Sequence, residues 1–320
     1  ETPFPLLVKL LAAEKPLSIQ VHPSKTQAEI GFGHEEAAGI PLESRERSYK
    51  DRSAKPELII ALSDEFVGLA GFADEATVNG RLARWLTAGA PERLDQIFGP
   101  AAGDPRKASR LVKEELFNYS EVVLELEQWL ASVIPSRLEP QTAAEVKLLQ
   151  QVSSAHPSDP GILFILLMHH VYLTRGEALF VASGEIHAYV EGLGLEVMLP
   201  SDNVIRAGLT SKHVDGQAFL ELGDFSQTSG PRLVSPKKGF HHDTYQDFAA
   251  DFSVHLLSFG AQEFSLASPS VCFVESGVAL VTNPGETTLH RGDVVLALPG
   301  ETLVPQSEDA VVWVVQAGLN

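Results

Sequence analysis

Apolar residues follow three different rhythms along the chain. From Pro5 to Leu62 they come in short runs, Leu6 to Leu11, Leu17 to Val21 and Leu58 to Leu62, separated by Pro, Gly and charged residues. Runs of that length between turn residues predict buried strands. Between Phe32 and Ser53 the chain is polar, with Glu35, Glu36, Glu43, Arg45, Glu46, Arg47 and Arg52, and it reads as a surface excursion between two strands. After Asp64 the spacing turns mostly helical: Leu82, Trp85 and Leu86, then Leu111, Leu116 and Phe117, then Val122, Leu124, Leu126, Trp129 and Leu130. Thr142-Ala-Ala-Glu145 has the form of a capping box opening another helix. From Gly161 the short runs return as Phe164 to Leu173, Ala178 to Val181 and Gly194 to Met198. Beyond Phe252 they continue as Val271 to Val274, Val278 to Thr282, Val294 to Leu298 and Val311 to Val315. Gly and Ser between Gly230 and Gly239 mark a boundary before that last group. The pattern predicts a mainly β protein with a helical insertion over roughly 64–155, and it shows no internal repeat.

Composition narrows the partners. A length of 320 residues suits two or three packed units, and 44% apolar with 21% charged residues is a globular balance. The formal charge of −18 denies the chain a field that gathers a polyphosphate backbone, so no nucleic acid is expected. A bound metal or a few convergent lysines would still reverse the sign locally for a small anion. One cysteine, Cys272, permits neither an intrachain disulfide nor a Cys-rich zinc site, which points to the reducing cytoplasm. The most apolar stretch, Gly161 to Met168, stops at His169-His170, short of the roughly 20 residues a membrane span needs. The chain opens Glu-Thr-Pro-Phe-Pro with neither a methionine nor a signal-peptide pattern, so a segment ahead of Glu1 is expected.

Chemistry concentrates at a few places. In Gln20-Val21-His22-Pro23 the alternation of a strand puts Gln20 and His22 on one face, although alone the string reads as a surface His before a turn. Gly176-Glu-Ala-Leu-Phe-Val-Ala182-Ser-Gly184-Glu-Ile-His187 has the spacing of the second cupin motif, with Ala182 where Pro is usual. Four strings then carry a closer likeness: Pro16-Leu-Ser-Ile-Gln-Val-His-Pro23, Lys55-Pro-Glu57, Gly184-Glu-Ile-His-Ala-Tyr189, and Ser201-Asp-Asn-Val-Ile-Arg-Ala-Gly-Leu-Thr210 followed by Lys212. In that order they resemble the type I mannose-6-phosphate isomerases, zinc enzymes of the cupin superfamily.

The resemblance implies two cupin-type jelly rolls plus an α-helical domain. Residues 1–63 and 156–235 would form a discontinuous zinc-binding catalytic cupin, 64–155 a helical insertion, and 236–320 a ligand-poor jelly roll. It implies one Zn²⁺ per chain on Gln20, His22, Glu57 and His187. It implies interconversion of mannose 6-phosphate and fructose 6-phosphate by enediol proton transfer, with Lys55, Glu196 and Arg206 as the catalytic set. Which of them is the base stays open; Arg206 keeps its proton and suits an electrostatic clamp, which leaves Glu196 the stronger candidate. Ser18, Lys9 and Lys212 would hold the phosphate, with Tyr189 beside the pocket. The small sugar phosphate would be the partner of a monomer. Ala54 stands where many bacterial relatives carry His, and Arg175 and Ser211 where Pro is usual. A non-catalytic metal-bearing cupin that binds a sugar phosphate is the alternative, while Gln20 among the ligands argues against an Fe²⁺ oxygenase. His169-His170 and His241-His242 receive no function.

Overall fold

The computed structural model describes residues 4–118, 121–227, 230–246, 252–282 and 285–318, and only the backbone of 115–118. Its first sheet takes β1 (Leu7–Ala13), β2 (Ile19–Val21), β3 (Glu57–Ala61), β4 (Phe66–Phe72), β5 (Met168–Leu173), β6 (Ala178–Val181), β7 (His187–Met198), β8 (Ile205–Gly208) and β9 (Leu233–Val234). β7 is the axis of this sheet. Its first residues pair with β2 and β4, and its later ones with β1 and β3, so one strand serves both walls of the curled sheet. The crossing falls at Gly192, whose φ is 120° and where a Cβ would come within 2.8 Å of Phe66 and 2.9 Å of the Glu65 carbonyl. Only glycine fits there.

β3 shows why its sequence is an unbroken apolar run rather than an alternation. Both of its faces are buried. Ile59 and Ala61 enter the barrel interior with Ala13, Phe66, Leu179, Val181 and Tyr189. Leu58 and Ile60 turn the other way and pack with Phe180 and Val197 against Tyr245, Phe252, Val254, Trp313 and Val315 of the C-terminal part. That part stacks β10 (His242–Tyr245), β11 (Phe252–Ser258), β13 (Ser270–Ser276), β16 (Val294–Ala297) and β18 (Val311–Ala317) in one antiparallel sheet. The facing sheet holds β12 (Phe264–Ser265), β14 (Val278–Thr282), β15 (Glu286–His290) and β17 (Thr302–Pro305). Between them lie Leu257, Cys272, Val274, Ala279, Leu303, Val312 and Val314. The mainly β architecture is the one the pattern predicts, and its jelly-roll form is the one the resemblance implies.

Among the described residues the α-helices are α1 (Lys25–Ala37), α2 (Glu75–Thr87), α3 (Arg93–Phe98), α4 (Pro105–Asn118), α5 (Glu121–Ser132), α6 (Pro140–Ala155), α7 (Phe164–Leu167) and α8 (Gly216–Leu222). Val78, Leu82, Trp85, Leu126, Val146 and Leu149 pack as one core with Ile19, Val21, Leu69 and Phe72 of the sheet. None of the helices among the described residues is long and apolar enough to cross a membrane.

Four local expectations are corrected. The helical stretch begins at Glu75 rather than Asp64, because Phe66–Phe72 is a strand paired with β5 and β7. Buried on both faces, it has no alternation to betray it. The polar stretch from Phe32 to Ser53 takes in the last turns of α1, a helix opened by a reciprocal capping box between Ser24 and Gln27, with only Ala28 and Gly31 buried. It lacks the apolar stripe by which a helix is recognised. Thr142-Ala-Ala-Glu145 lies inside α6 and caps nothing. Glu145 is buried and instead accepts from Trp85 Nε1 at 2.8 Å and from Arg84, with Arg81 at 3.8 Å. The run Phe164 to Leu173 divides into α7 and β5, and the His170 ring reaches back to the Ile165 carbonyl at 2.8 Å. Burial pushes that imidazole down to about 3, so it stays neutral.

Candidate metal centre

Strand alternation delivers His22, and a turn delivers its counterpart. Gly184 carries a φ of 82°, which favours glycine. Its amide donates to the His22 carbonyl at 2.8 Å, and the strand that opens three residues later begins with His187. Gln20 lies opposite His187 in the ladder on one side and opposite Arg206 on the other. β3 supplies Glu57 at its first position, on the same inward face as Ile59.

These groups converge. His22 Nε2 is 3.2 Å from Glu57 Oε1, and His187 Nε2 is 3.5 Å from Oε2 and 3.3 Å from the Gln20 amide nitrogen. His22, Glu57 and His187 are fully buried, and their ligand atoms all lie within 4.8 Å of one another. His22 Nδ1–H donates to the Asn203 carbonyl at 2.7 Å and His187 Nδ1–H to the Glu185 carbonyl at 3.0 Å. Each bond places the proton on the far nitrogen, leaving the Nε2 lone pairs aimed at Glu57. His22 Nε2 and Glu57 Oε1 make no well-directed hydrogen bond, even though Lys55 Nζ is 2.9 Å from that oxygen. Buried polar atoms without partners are costly. Two imidazole nitrogens, a carboxylate and an amide that can turn its oxygen inward are a donor set for a divalent cation.

At His187 burial is outweighed by Glu57, which raises the imidazole, so that ring shares a proton readily with the carboxylate. Burial lowers His22 below its ordinary value, outweighing the pull of Glu57. Burial would raise Glu57, but His22, His187 and Lys55 hold it well below the usual carboxylate range, so it is ionised. Tyr189, buried behind the site, donates its hydroxyl to Glu57 Oε2 at 3.4 Å. Burial and then the Glu57 charge push that phenol well above 10, so it remains a donor.

Glu196 occupies the same barrel wall, opposite Lys9 of β1 and Ile59 of β3. It is 5% exposed, and burial followed by the Glu57 charge pushes it up to about 7 against Lys9, whose Nζ is 3.7 Å away. Arg206 is half-buried and makes no ion pair among the described residues; its Nη1 reaches only the Val204 carbonyl, at 3.5 Å. Burial lowers it somewhat.

Beside Arg206 opens a cavity of about 520 Å³ that also exposes Arg45, Arg47, Lys50 and Lys212 against a single carboxylate, Glu43. In a chain of net charge −18 this is a local reversal of sign. Arg47 is committed, donating to the Tyr49 and Ile40 carbonyls and pairing with Glu35 and Glu36. Lys50 Nζ donates to the Leu42 and Ser44 carbonyls. Lys212, Arg206 and Arg45 are left to face an anion. Of Ser18, Lys9 and Lys212, only Lys212 lines this cavity, while Lys9 turns to Glu196. Nothing in the sequence marks Arg45 for this place, because an arginine beside Glu43 and Glu46 looks solvated.

Ser201-Asp-Asn203 proves to be a strut. Asn203 Oδ1 accepts from the amides of Lys50 and Asp51, and Nδ2 donates to the Asp51 and Ser53 carbonyls. The Asp51 carboxylate accepts from Ser201 Oγ and the Asp202 amide. One buried residue thus holds His22 through its carbonyl and the loop leading into Lys55-Pro-Glu57 through its side chain.

Comparison with known proteins gives the same direction. Residues 1–75 match the family description "Phosphomannose isomerase type I, catalytic domain". A mannose-6-phosphate isomerase of Escherichia coli (strain K12) is 35% identical over 97% of this chain and 76% of its own length. That of Salmonella typhimurium is 34% identical over 91% and 75%. A crystal structure of a zinc-bound holo mannose 6-phosphate isomerase superposes with a TM-score of 0.83 at 30% identity, covering 98% of this chain and 79% of that one.

Proposed function

The chain belongs to the mannose-6-phosphate isomerase family, and on that footing we propose that it interconverts mannose 6-phosphate and fructose 6-phosphate as a zinc-dependent aldose–ketose isomerase. The observation that carries the reading is the buried His22–Glu57–His187 group, in which His22 Nε2 and Glu57 Oε1 make no well-directed hydrogen bond. Gln20, His22, Glu57 and His187 would hold one Zn²⁺, and the ion when bound supplies a Lewis acid that polarises the sugar carbonyl.

The remaining tasks fall to the chain's own groups. Going from aldose to ketose, a proton leaves C2 and re-enters at C1, while the O2 hydroxyl proton departs and one arrives at O1. Glu196, pushed up to about 7, is ionised enough above neutrality to take the C2 proton and basic enough to hold it for return to C1. Lys55, held beside Glu57, is placed to pass the hydroxyl proton between O2 and O1. Arg206 contributes a fixed positive charge where negative charge develops on the sugar oxygens. Lys212 and Arg45 would bind the phosphate in the cationic cavity, turning remote binding energy into orientation. A module that merely bound a sugar phosphate would need the ligands and the cavity, but not Lys55 and Glu196 at the metal-facing wall.

The catalytic unit we propose extends through Phe72 before the helical insertion and resumes after it to about 235, followed by a ligand-poor jelly roll. Cys272, its thiol pushed up to about 12 by burial, suits the cytoplasm, where it need form no disulfide.

The reading is tested by a coupled assay of fructose 6-phosphate formation across pH. A carboxylate raised to about 7 becomes a competent base only as pH climbs through that value, so kcat/KM should rise with pH and level off above it. Glu196→Gln should lose about 10²–10⁴-fold in kcat. Lys9→Ala removes a cation that favours the ionised form, so it should move the acid limb to higher pH. A limb that survives in Glu196→Gln would assign the base elsewhere.

A further inference from the structure

A second cluster of donor atoms lies on the C-terminal jelly roll, in a histidine pair that the isomerase reading leaves unused. Thr244 of β10 stands directly opposite His255 of β11, and His242, two residues earlier on the same strand, shares that face. His242 Nε2 is 3.0 Å from His255 Nδ1, and Thr244 Oγ1 is 3.3 Å from the first and 3.5 Å from the second. Zinc–nitrogen bonds of about 2.0–2.1 Å in a tetrahedron put neighbouring ligands about 3.3–3.4 Å apart, so the three atoms have the spacing of one tetrahedral face.

We infer that His242, His255 and Thr244 form a second site for a divalent transition-metal ion, distinct from the centre built on Glu57. The supporting shell is present. Ser253 Oγ lies 2.9 Å from His255 Nε2 and fixes the ring from its far side, as the Asn203 and Glu185 carbonyls fix the histidines of the first centre. Phe264 packs on both imidazoles, with ring centroids 5.2 and 4.8 Å away, and walls the site on its apolar side. All three donors are half-buried, which leaves the fourth position to water. With two imidazoles and no carboxylate among its ligands, the site favours Zn²⁺, Ni²⁺ or Cu²⁺ over Mg²⁺. Tyr245, the next residue of β10, donates to the Gly176 carbonyl at 2.7 Å, in the turn before β6. An ion here would therefore pin the strand that joins the C-terminal sheet to the catalytic barrel. The inference does not depend on the isomerase reading.

The test is zinc binding to metal-stripped full chain, followed by equilibrium dialysis and metal analysis. The wild type should take up two equivalents, His255→Ala one and His187→Ala one, the latter retaining the second site. His242→Gln, a milder change, should weaken the second equivalent at least 10-fold while leaving turnover as it was. The thermal midpoint of His187→Ala should rise on addition of Zn²⁺ and not of Mg²⁺. A single equivalent in the wild type that His255→Ala retains, or equal uptake by wild type, His242→Gln and His255→Ala, would overturn the inference and leave a hydrogen-bonded histidine pair. Loss of the equivalent assigned to Glu57 with the second retained would overturn the isomerase reading alone.

Discussion

Glu57→Gln should give a folded chain that holds almost no zinc at the catalytic centre and turns over mannose 6-phosphate at least 10³-fold more slowly. Glu57 is the one carboxylate in the donor set, it is fully buried, and His22, His187 and Lys55 keep it ionised. The amide keeps the shape but removes the negative charge that offsets a divalent cation in a site closed to water. Losing an outer-shell partner already costs about 10–100-fold in metal affinity, and a ligand that carries the only negative charge should cost more. The same substitution leaves Lys55 without its buried counter-ion, a change worth about 3–5 kcal/mol when one partner of a buried pair is deleted. Metal analysis, kcat and a denaturant midpoint on one preparation separate these effects. His187→Ala should match the metal loss with a smaller change in midpoint, since it strands no charge. Full zinc content in both variants would place the metal elsewhere.

Arg206→Ala should lower kcat by about 10²-fold or more, the scale of a deleted electrostatic stabiliser, and leave zinc content unchanged. Arg206 lies beside Gln20 in the ladder, next to the metal-facing wall, and is spared any ion pair among the described residues. Stabilisation made only as charge develops is lost from kcat, whereas a contact kept from the bound state onward is lost mainly from KM. Lys212→Ala and Arg45→Ala, in the same cavity, should therefore raise KM for the phosphorylated sugar with little change in kcat. Ser18→Ala should do so less, since Ser18 does not line that cavity. An Arg206→Ala variant altered only in KM would join Arg206 to the phosphate group.

Much of the fold was legible where apolar runs are bounded by turn residues or recur at helical spacing. The strands around Leu58, Ala178 and Val278 announce themselves, and so do the helices from Leu82 to Leu130. Legibility failed where an apolar run is broken by glycines, as at Gly68 and Gly71, or where a helix has no apolar stripe. Phe66–Phe72 is apolar on both faces, and α1 is polar on nearly all of them, so neither displays the rhythm of its element. At the site, Gln20, His22, Glu57 and His187 stood in recognisable strings, and the fold brings all four together. Asn203, Asp51 and Arg45 were missed for a different reason. Their roles are set by partners about 150 residues away or by a cavity that exists only after folding, and no local spacing encodes either.

The most direct test of the account strips the wild-type chain of metal with a chelator and follows fructose 6-phosphate formation as Zn²⁺ is returned. The rate should fall to background and then climb in proportion to zinc, levelling once the tighter equivalent is bound, with Glu57→Gln and His187→Ala remaining at background throughout. Full turnover by the stripped chain, or recovery of both variants on the wild-type curve, would contradict it.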